Sequence, residues 1–407
     1  MDALTSVNYK SRLSARALIE SPVAAVAPRS GQPRAAPIYF FAGGMPDPES
    51  FPFDGLRAAT DAMLREEGRD AMTYGAVYGY QGLRELVCEK NRRYEGFEIS
   101  PDDILVTNGS SHALALAADV LINPGDPIIV EAPTFSGTLY NLRRFSPEFI
   151  PVGLDSDGIC TDEVGVKLQE LQRQGRKAKL IYTIVNFQNP AGMTQSLRRR
   201  TELLDLADRY DTMILEDDAY GELRYDGEPI RSLYGLDHND RVLHTGTLSK
   251  ILGAGVRLGW LLGPKEILAR AAGLKADGGT NPYMSRLATF YMRDHMVEHV
   301  EELKTIYRDK RDLMLARLNA GLGDTAEVSR PAGGFFIWIR LPEGTDPFKL
   351  VELAGEARVS YVPGPSFYPD ATTGKEFIRL AFSFASLESI REGTDRLCEA
   401  IRAAGPD

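Results

Sequence analysis

Lys250 stands in "TLSKILGAGVRLGW", with Arg257 seven positions further on. A lysine is ordinarily a solvated surface charge. Here Thr247, Ser249 and Gly253 surround it with small polar groups, a tight pocket that offers little for a four-carbon stem to lie against. The other motifs must say what occupies that pocket. "TNGSSHALALAADVLI" sets Gly109, Ser110 and Ser111 between a strand and a helix. Free N–H groups and the positive end of a helix dipole suit a phosphate, and a serine N-cap is the plainer reading.

"MILEDDAYGE" ends a strand with Glu216, Asp217 and Asp218, then Tyr220. Adjacent carboxylates repel unless something cationic is near. A metal is one occupant, although no histidine is close in the sequence. A protonated ring nitrogen facing one aspartate is another. "VNFQNPAG" places Asn189 before Pro190, either as a simple turn or as an amide held rigid to meet a ligand oxygen. "EAPTF" puts Phe135 just past a strand, as core or as a ring that stacks on a planar ligand. Two patterns are set aside. His295 to His299, "HMVEH", matches a metallopeptidase signature but lies in a heavily charged helix. "GAGVRLG" is followed by a strand rather than a helix, so it is no dinucleotide loop.

The elements behind these motifs alternate. Apolar runs predict strands at Ile104–Val106, Pro127–Glu131, Glu148–Val152, Leu180–Val185, Met213–Glu216, Val242–Thr245 and Gly259–Leu262. Helical patterns lie between several of them, which predicts a mostly parallel α/β sheet with helices on both faces. In such sheets ligands bind at the carboxyl ends of the strands, where nearly all these motifs fall. From about residue 284 the rhythm shifts to a long charged helix, Met284–Ala320, then strands and a last helix from Leu387, suggesting a smaller α+β unit. Residues 1–38 read as an arm with one helix near 11–20.

Composition limits the function. The 407 residues suffice for two or three domains, and a net charge of −10 disfavours nucleic acid. Cys88, Cys160 and Cys398 are too scattered for a disulfide framework or a zinc site, which fits a cytoplasmic protein. The N-terminal segment lacks the apolar core of a signal peptide, and no apolar run is long enough to span a bilayer.

Taken in order, "TNGSSHAL", "EAPTF", "NFQNPAG", "EDDAY", "TLSKILGAGVRLGW" and "FIRLAFS" resemble the class I/II aminotransferases of the fold-type I pyridoxal-phosphate enzymes. The resemblance runs from about Phe41 to the final helix. The spacing from Lys250 to Arg257, with "NFQNPAG", looks most like the 2-aminoadipate aminotransferases and the aminotransferase half of MocR-type regulators. The 40 residues before the first motif are too few for a winged-helix DNA reader, so the enzyme alone is expected.

The resemblance implies a pyridoxal 5′-phosphate cofactor and transfer of an amino group between an L-amino acid and a 2-oxo acid, through a Schiff base on Lys250 and a pyridoxamine intermediate. It implies that Gly109, Ser110, Ser111, Thr247, Ser249 and Arg257 hold the phosphate. Asp217, by the D-x-x-Y register, would face the pyridine nitrogen. Tyr220 and Asn189 would contact the phenolic oxygen, and Phe135 would stack on the ring. Arg379, with the Gly43–Gly44 backbone and Asn189, would receive the substrate carboxylate. Tyr74 would reach the phosphate of a neighbouring subunit, which implies a homodimer with shared sites.

It further implies an N-terminal arm (1–48) joining the small domain, a large cofactor-binding domain (49–290) and a small domain (291–407). Three features depart from the family: Phe135 stands where Tyr or Trp is frequent, "TNGSSH" replaces "GSQQ", and the arm has no clear match. The motifs build a cofactor site and do not fix which substrate bond breaks. Elimination, decarboxylation or oxidation on the same scaffold is the alternative to transamination. A non-enzymatic ligand sensor would tolerate loss of Lys250, which is present.

Overall fold

The computed structural model describes residues 12–19 and 39–405. The seven expected strands form one sheet. They are β1 (Ile104–Thr107), β2 (Pro127–Glu131), β3 (Glu148–Val152), β4 (Leu180–Thr183), β5 (Met213–Asp217), β6 (Val242–Thr247) and β7 (Gly259–Leu262). Their order is β1-β7-β6-β5-β4-β2-β3. Strand β7 runs antiparallel to both its neighbours, and the remaining pairs are parallel. The architecture is the α/β class expected.

Both faces of the sheet are covered, which explains why its strands are apolar almost throughout. Ile128 and Val130 pack on one face with the helices Ser110–Leu121 and Ser136–Arg143. Ile129, one residue out of phase, packs on the other with the helices Thr161–Arg173 and Leu197–Tyr210. The period-two alternation of a strand thus feeds two separate cores.

A second sheet follows: β8 (Glu327–Val328), β9 (Phe336–Arg340), β10 (Val362–Pro363) and β11 (Phe377–Ala381). Its order is β8-β9-β11-β10, and every pair is antiparallel. Between the sheets runs a 41-residue helix, Pro282–Leu322, about 60 Å long at 1.5 Å per residue. Asn281 caps it, its side chain accepting from the Met284 N–H at 3.0 Å, and Pro282 occupies the first turn, where its missing N–H costs nothing. The helix passes unbroken through residue 290, so the large–small division expected there falls inside one continuous element.

Tyr39–Phe40 pairs in parallel with Val359–Ser360, tying the end of the arm to the second sheet's unit. The helix expected near 11–20 is one short 3₁₀ turn, Ala15–Leu18, where it is described, because only Ser14 caps it and Arg16, Ala17 and Leu18 are exposed rather than packed on a core. The rest of the arm lies outside the described residues.

The parallel strands β2, β4, β5 and β6 deliver Phe135, Asn189, Asp217 and Lys250 at or just beyond their carboxyl ends. Because β7 is reversed, Arg257, which precedes it, arrives at the same edge. Residues as far apart as Phe135 and Arg257 are brought together by strand direction alone.

Candidate active site

One cavity at that edge is lined by Lys250, Asp217, Tyr220, Asn189 and Phe135. Ser110, Ser111, Thr247, Ser249 and Arg257 line it as well. Ten of the residues picked from sequence therefore share one space. Gly109 is just outside it, capping the helix Ser110–Leu121 with φ of 81°. A side chain there would collide with the Arg257 guanidinium, 2.6 Å from the position a Cβ would take, which is why glycine is required.

Among the described residues, the Lys250 amine has a single hydrogen-bond partner, the Gly44 carbonyl at 2.9 Å. It lies 5.6 Å from the centroid of the Tyr220 ring and 5.9 Å from that of Phe335. Burial among these groups lowers its pKa from 10.5 to about 8, assisted by the charges of Arg379 and Arg257 and opposed by Asp217. An amine in that range is partly neutral near physiological pH, as a nucleophile or a base must be.

Asp217 ends β5 and is buried on the cavity wall. Its Oδ2 accepts from the Tyr182 hydroxyl at 2.8 Å and its Oδ1 from Thr245 Oγ1 at 3.1 Å. Burial raises its pKa, while these two donors and the charges of His244 and Lys250 work to keep it ionised. Asp218 does not line the cavity. It points the other way, toward Asn186 Nδ2 at 3.1 Å, and burial raises its pKa. The D-x-x-Y register thus separates two chemically identical neighbours. Glu216 turns to the far side, where it accepts from the Leu233 and Tyr234 N–H groups at 2.8 and 3.0 Å.

The structure corrects one sequence reading here. A histidine does lie beside this acidic run: His244 on β6 sits opposite Glu216, with Nδ1 3.0 Å from its carboxylate. Strand pairing brings together residues 28 apart, which no local pattern reveals. One ligand atom each of Glu95, Asp218 and His244 lies within 4.8 Å of the others. Burial lowers the His244 pKa, but hydrogen bonding and charge from Glu216 outweigh it and raise it to about 9, which favours an imidazolium paired with Glu216.

The Arg257 end of the cavity is built for an anion. Arg257 donates only to backbone carbonyls, those of Asn108 at 3.1 Å and Ala254 at 3.3 Å, and no carboxylate pairs with it among the described residues. The N-terminal turn of the helix Ser110–Leu121 starts there, and Thr247 Oγ1 lies 2.9 Å from Ser249 Oγ.

Arg379 does not line the cavity itself; it contacts Asn189, which does. Arg379 on β11 is buried without an acidic partner among the described residues. Its Nη1 donates to Asn189 Oδ1 at 2.8 Å and its Nη2 to the Ala42 carbonyl at 2.5 Å, while Nε has no partner. The guanidinium lies 4.3 Å from the centroid of the Phe336 ring and 4.9 Å from that of Phe367. Gly44 makes room for Phe336: a Cβ there would meet its ring at 2.5 Å.

Tyr74 is not brought to the cavity; it is 94% exposed. The His295–His299 pair is no metal site, since the ring Nε2 of His299 bonds the Ile251 carbonyl at 2.7 Å and His295 stacks on Tyr291. Sequence reasoning gave no role to Tyr182 or Thr245, the partners of Asp217, or to the rings around Arg379. Their only signal is alternation along strands, which marks them as core.

Pyridoxal phosphate fits the residues present. A buried carboxylate, an amine with a lowered pKa and an anion-receiving end are spaced around one cavity. The comparisons agree. Residues 43–401 match the family model for aminotransferase class I and II. An aromatic-amino-acid aminotransferase of Thermococcus litoralis is 40% identical, over 89% of this chain and 87% of that one. A 2-aminoadipate transaminase of Thermus thermophilus is 32% identical over 90% of each. A Pyrococcus horikoshii kynurenine aminotransferase structure superposes with a TM-score of 0.86 at 38% identity, covering 91% of this chain and 92% of that one. The chain therefore belongs to the class I and II aminotransferases, fold-type I enzymes that use pyridoxal phosphate to move an amino group between an amino acid and a 2-oxo acid.

Proposed function

We propose that Lys250 is the lysine that carries the cofactor, and that each cavity residue has the role its position suits. The observation behind this is the buried Lys250 amine, with one backbone partner and a lowered pKa, in the same cavity as Asp217. When bound, pyridoxal phosphate supplies a carrier for the amino group and an electron sink for the substrate α-carbon. Asp217 holds a proton on the pyridine nitrogen. Tyr220, whose phenol burial keeps protonated, and Asn189 donate to the phenolic oxygen. Phe135 stacks on the ring. Arg257, Thr247, Ser249 and the Gly109–Ser111 backbone hold the phosphate.

Arg379 receives the substrate carboxylate on its planar fork, flanked by the Gly43–Gly44 backbone. With the cofactor bound, Lys250 would be the residue placed to take up and hand on the proton of the substrate α-carbon. Hydrophobic rings around Arg379 exclude water from this transfer.

The assembly we propose is a homodimer in which Tyr74 serves the phosphate of the other subunit. Its support is exposure: Met72 at 76% and Tyr74 at 94% lie on one loop. A cytoplasmic location is supported by three free cysteines, and no helix among the described residues is long and apolar enough to cross a membrane. The arm (1–48), large domain (49–290) and small domain (291–407) are the proposed units, the two sheets being their cores.

The relatives' names make aromatic amino acids the first donors to test. The experiment is a titration of the yellow holoenzyme with a panel of amino acids. Near-stoichiometric conversion to the pyridoxamine form, reversed by a 2-oxo acid, is expected. Release of ammonia or carbon dioxide without that conversion would replace transamination by elimination or decarboxylation.

A further inference from the structure

Glu131, the last residue of β2, is buried and has no cationic partner among the groups that act on it. A carboxylate in that position is costly unless its oxygens are filled. Four donors fill them. Thr183 Oγ1 and the Ile184 N–H reach Oε1 at 2.5 and 2.9 Å. Gln188 Nε2 and Thr134 Oγ1 reach Oε2 at 2.8 and 3.3 Å.

The Gln188 amide is spent completely. Its Nε2 also donates to the Pro133 carbonyl at 2.9 Å, and its Oε1 accepts from the Ala191 N–H at 2.8 Å. Its backbone closes the same turn, accepting from Gly192 at 2.6 Å and donating to Met193 at 2.7 Å. Asn189 is the residue this turn presents. Arginine can only donate, so the Asn189 atom facing Arg379 is Oδ1, and Nδ2 is the end left for the cavity.

We infer that Glu131 and Gln188 are positioning residues: together they lock the Asn189 amide so that one end holds Arg379 and the other faces the cofactor's phenolic oxygen. The inference rests on the roles proposed above for Asn189 and Arg379. It gives the cofactor side and the carboxylate-binding side of the site a common support, reached from β2 through one carboxylate. The same clamp fixes the Pro133 carbonyl, two residues before Phe135. An apolar filler would satisfy packing at residue 131 but could not orient an amide.

The test is a double-mutant cycle on the holoenzyme. Glu131→Gln keeps the volume and sets an NH₂ against the NH₂ of Gln188, whose amide must then turn and lose Pro133 and Ala191. Gln188→Leu removes the clamp from the other side. Each is expected to weaken binding of amino acid and 2-oxo acid in the separate half-reactions by about tenfold or more, the cost of leaving a buried donor unsatisfied. Each is also expected to shift the pH titration of the bound cofactor's absorption band. The double variant should lose no more than the worse single one. A crystal structure of apo Gln188→Leu should show Asn189 Oδ1 moved out of hydrogen-bond reach of Arg379.

Two results overturn the inference: variants that melt earlier yet keep wild-type half-reaction constants and absorption titration, or losses that simply add. Where Glu131→Gln does not fold, Gln188→Leu alone carries the kinetic and spectral comparison. Asn189→Ala separates the levels. If it changes neither substrate binding nor the titration, the role given to Asn189 fails; if it changes both and the clamp variants do not, only the inference fails.

Discussion

The Tyr182 hydroxyl donates to Asp217 Oδ2 at 2.8 Å, across two adjacent parallel strands. Thr245, on the strand beyond, fills the other oxygen. The carboxylate is thereby held at one orientation in a buried wall, where desolvation raises its pKa and its two donors favour the ionised form. Its chain neighbour Asp218 has one oxygen on Asn186 and the other without a partner.

This asymmetry predicts different costs for two identical substitutions. Asp217→Ala should lower kcat/KM by about 3–5 kcal/mol, the loss of a charge pair in a desolvated site. Asp218→Ala should act mainly on melting temperature. Steady-state kinetics beside thermal denaturation decide it; equal kinetic losses would place the carboxylate wrongly.

Lys250→Ala should abolish turnover while leaving the fold intact. The apoenzyme offers a pH test of its environment with Lys250→Met, which keeps the volume. The native pKa of about 8 is below the ordinary 10.5, so the protonated amine costs the folded state about 3 kcal/mol at neutral pH. That cost is complete below pH 8 and fades as pH rises toward 10.5. The methionine variant should therefore melt above wild type at pH 7 and lose this advantage by pH 10. A constant difference across that range would contradict the burial assigned to Lys250.

Arg379→Lys keeps the charge and loses the fork. Half-reactions with several amino acids should weaken together by about 1.5–3 kcal/mol, the worth of a charged hydrogen bond. An amine without a carboxylate should react as it does with wild type. Equal slowing of that amine, or weaker cofactor binding, would remove Arg379 from substrate recognition.

Tyr74→Phe should weaken cofactor affinity by about 1 kcal/mol without changing the amino-acid half-reaction. Sedimentation should show a dimer at assay concentrations. A monomer that binds pyridoxal phosphate as tightly as any dimer would dismiss the shared site.

What the sequence determined by itself is the local part. Pro127–Glu131 and Gly259–Leu262 are legible because each is a short apolar run between turn residues, and the long helix because its pattern persists after Pro282. The chemistry-bearing residues are legible because they stand out of place: a lysine among small residues, carboxylates side by side, an arginine in an apolar strand.

Tertiary structure decided everything that depends on pairing. The direction of β7 places Arg257 at the same edge as Lys250, and no property of residues 257–262 announces that direction. His244 meets Glu216, and Tyr182 meets Asp217, through strand register. Glu131 and Gln188 both lie inside motifs the sequence singled out, yet their partnership spans 57 positions. A side chain's type is fixed by the chain; whether a buried carboxylate has its donors, and so whether it is charged, is fixed only when distant strands lie side by side.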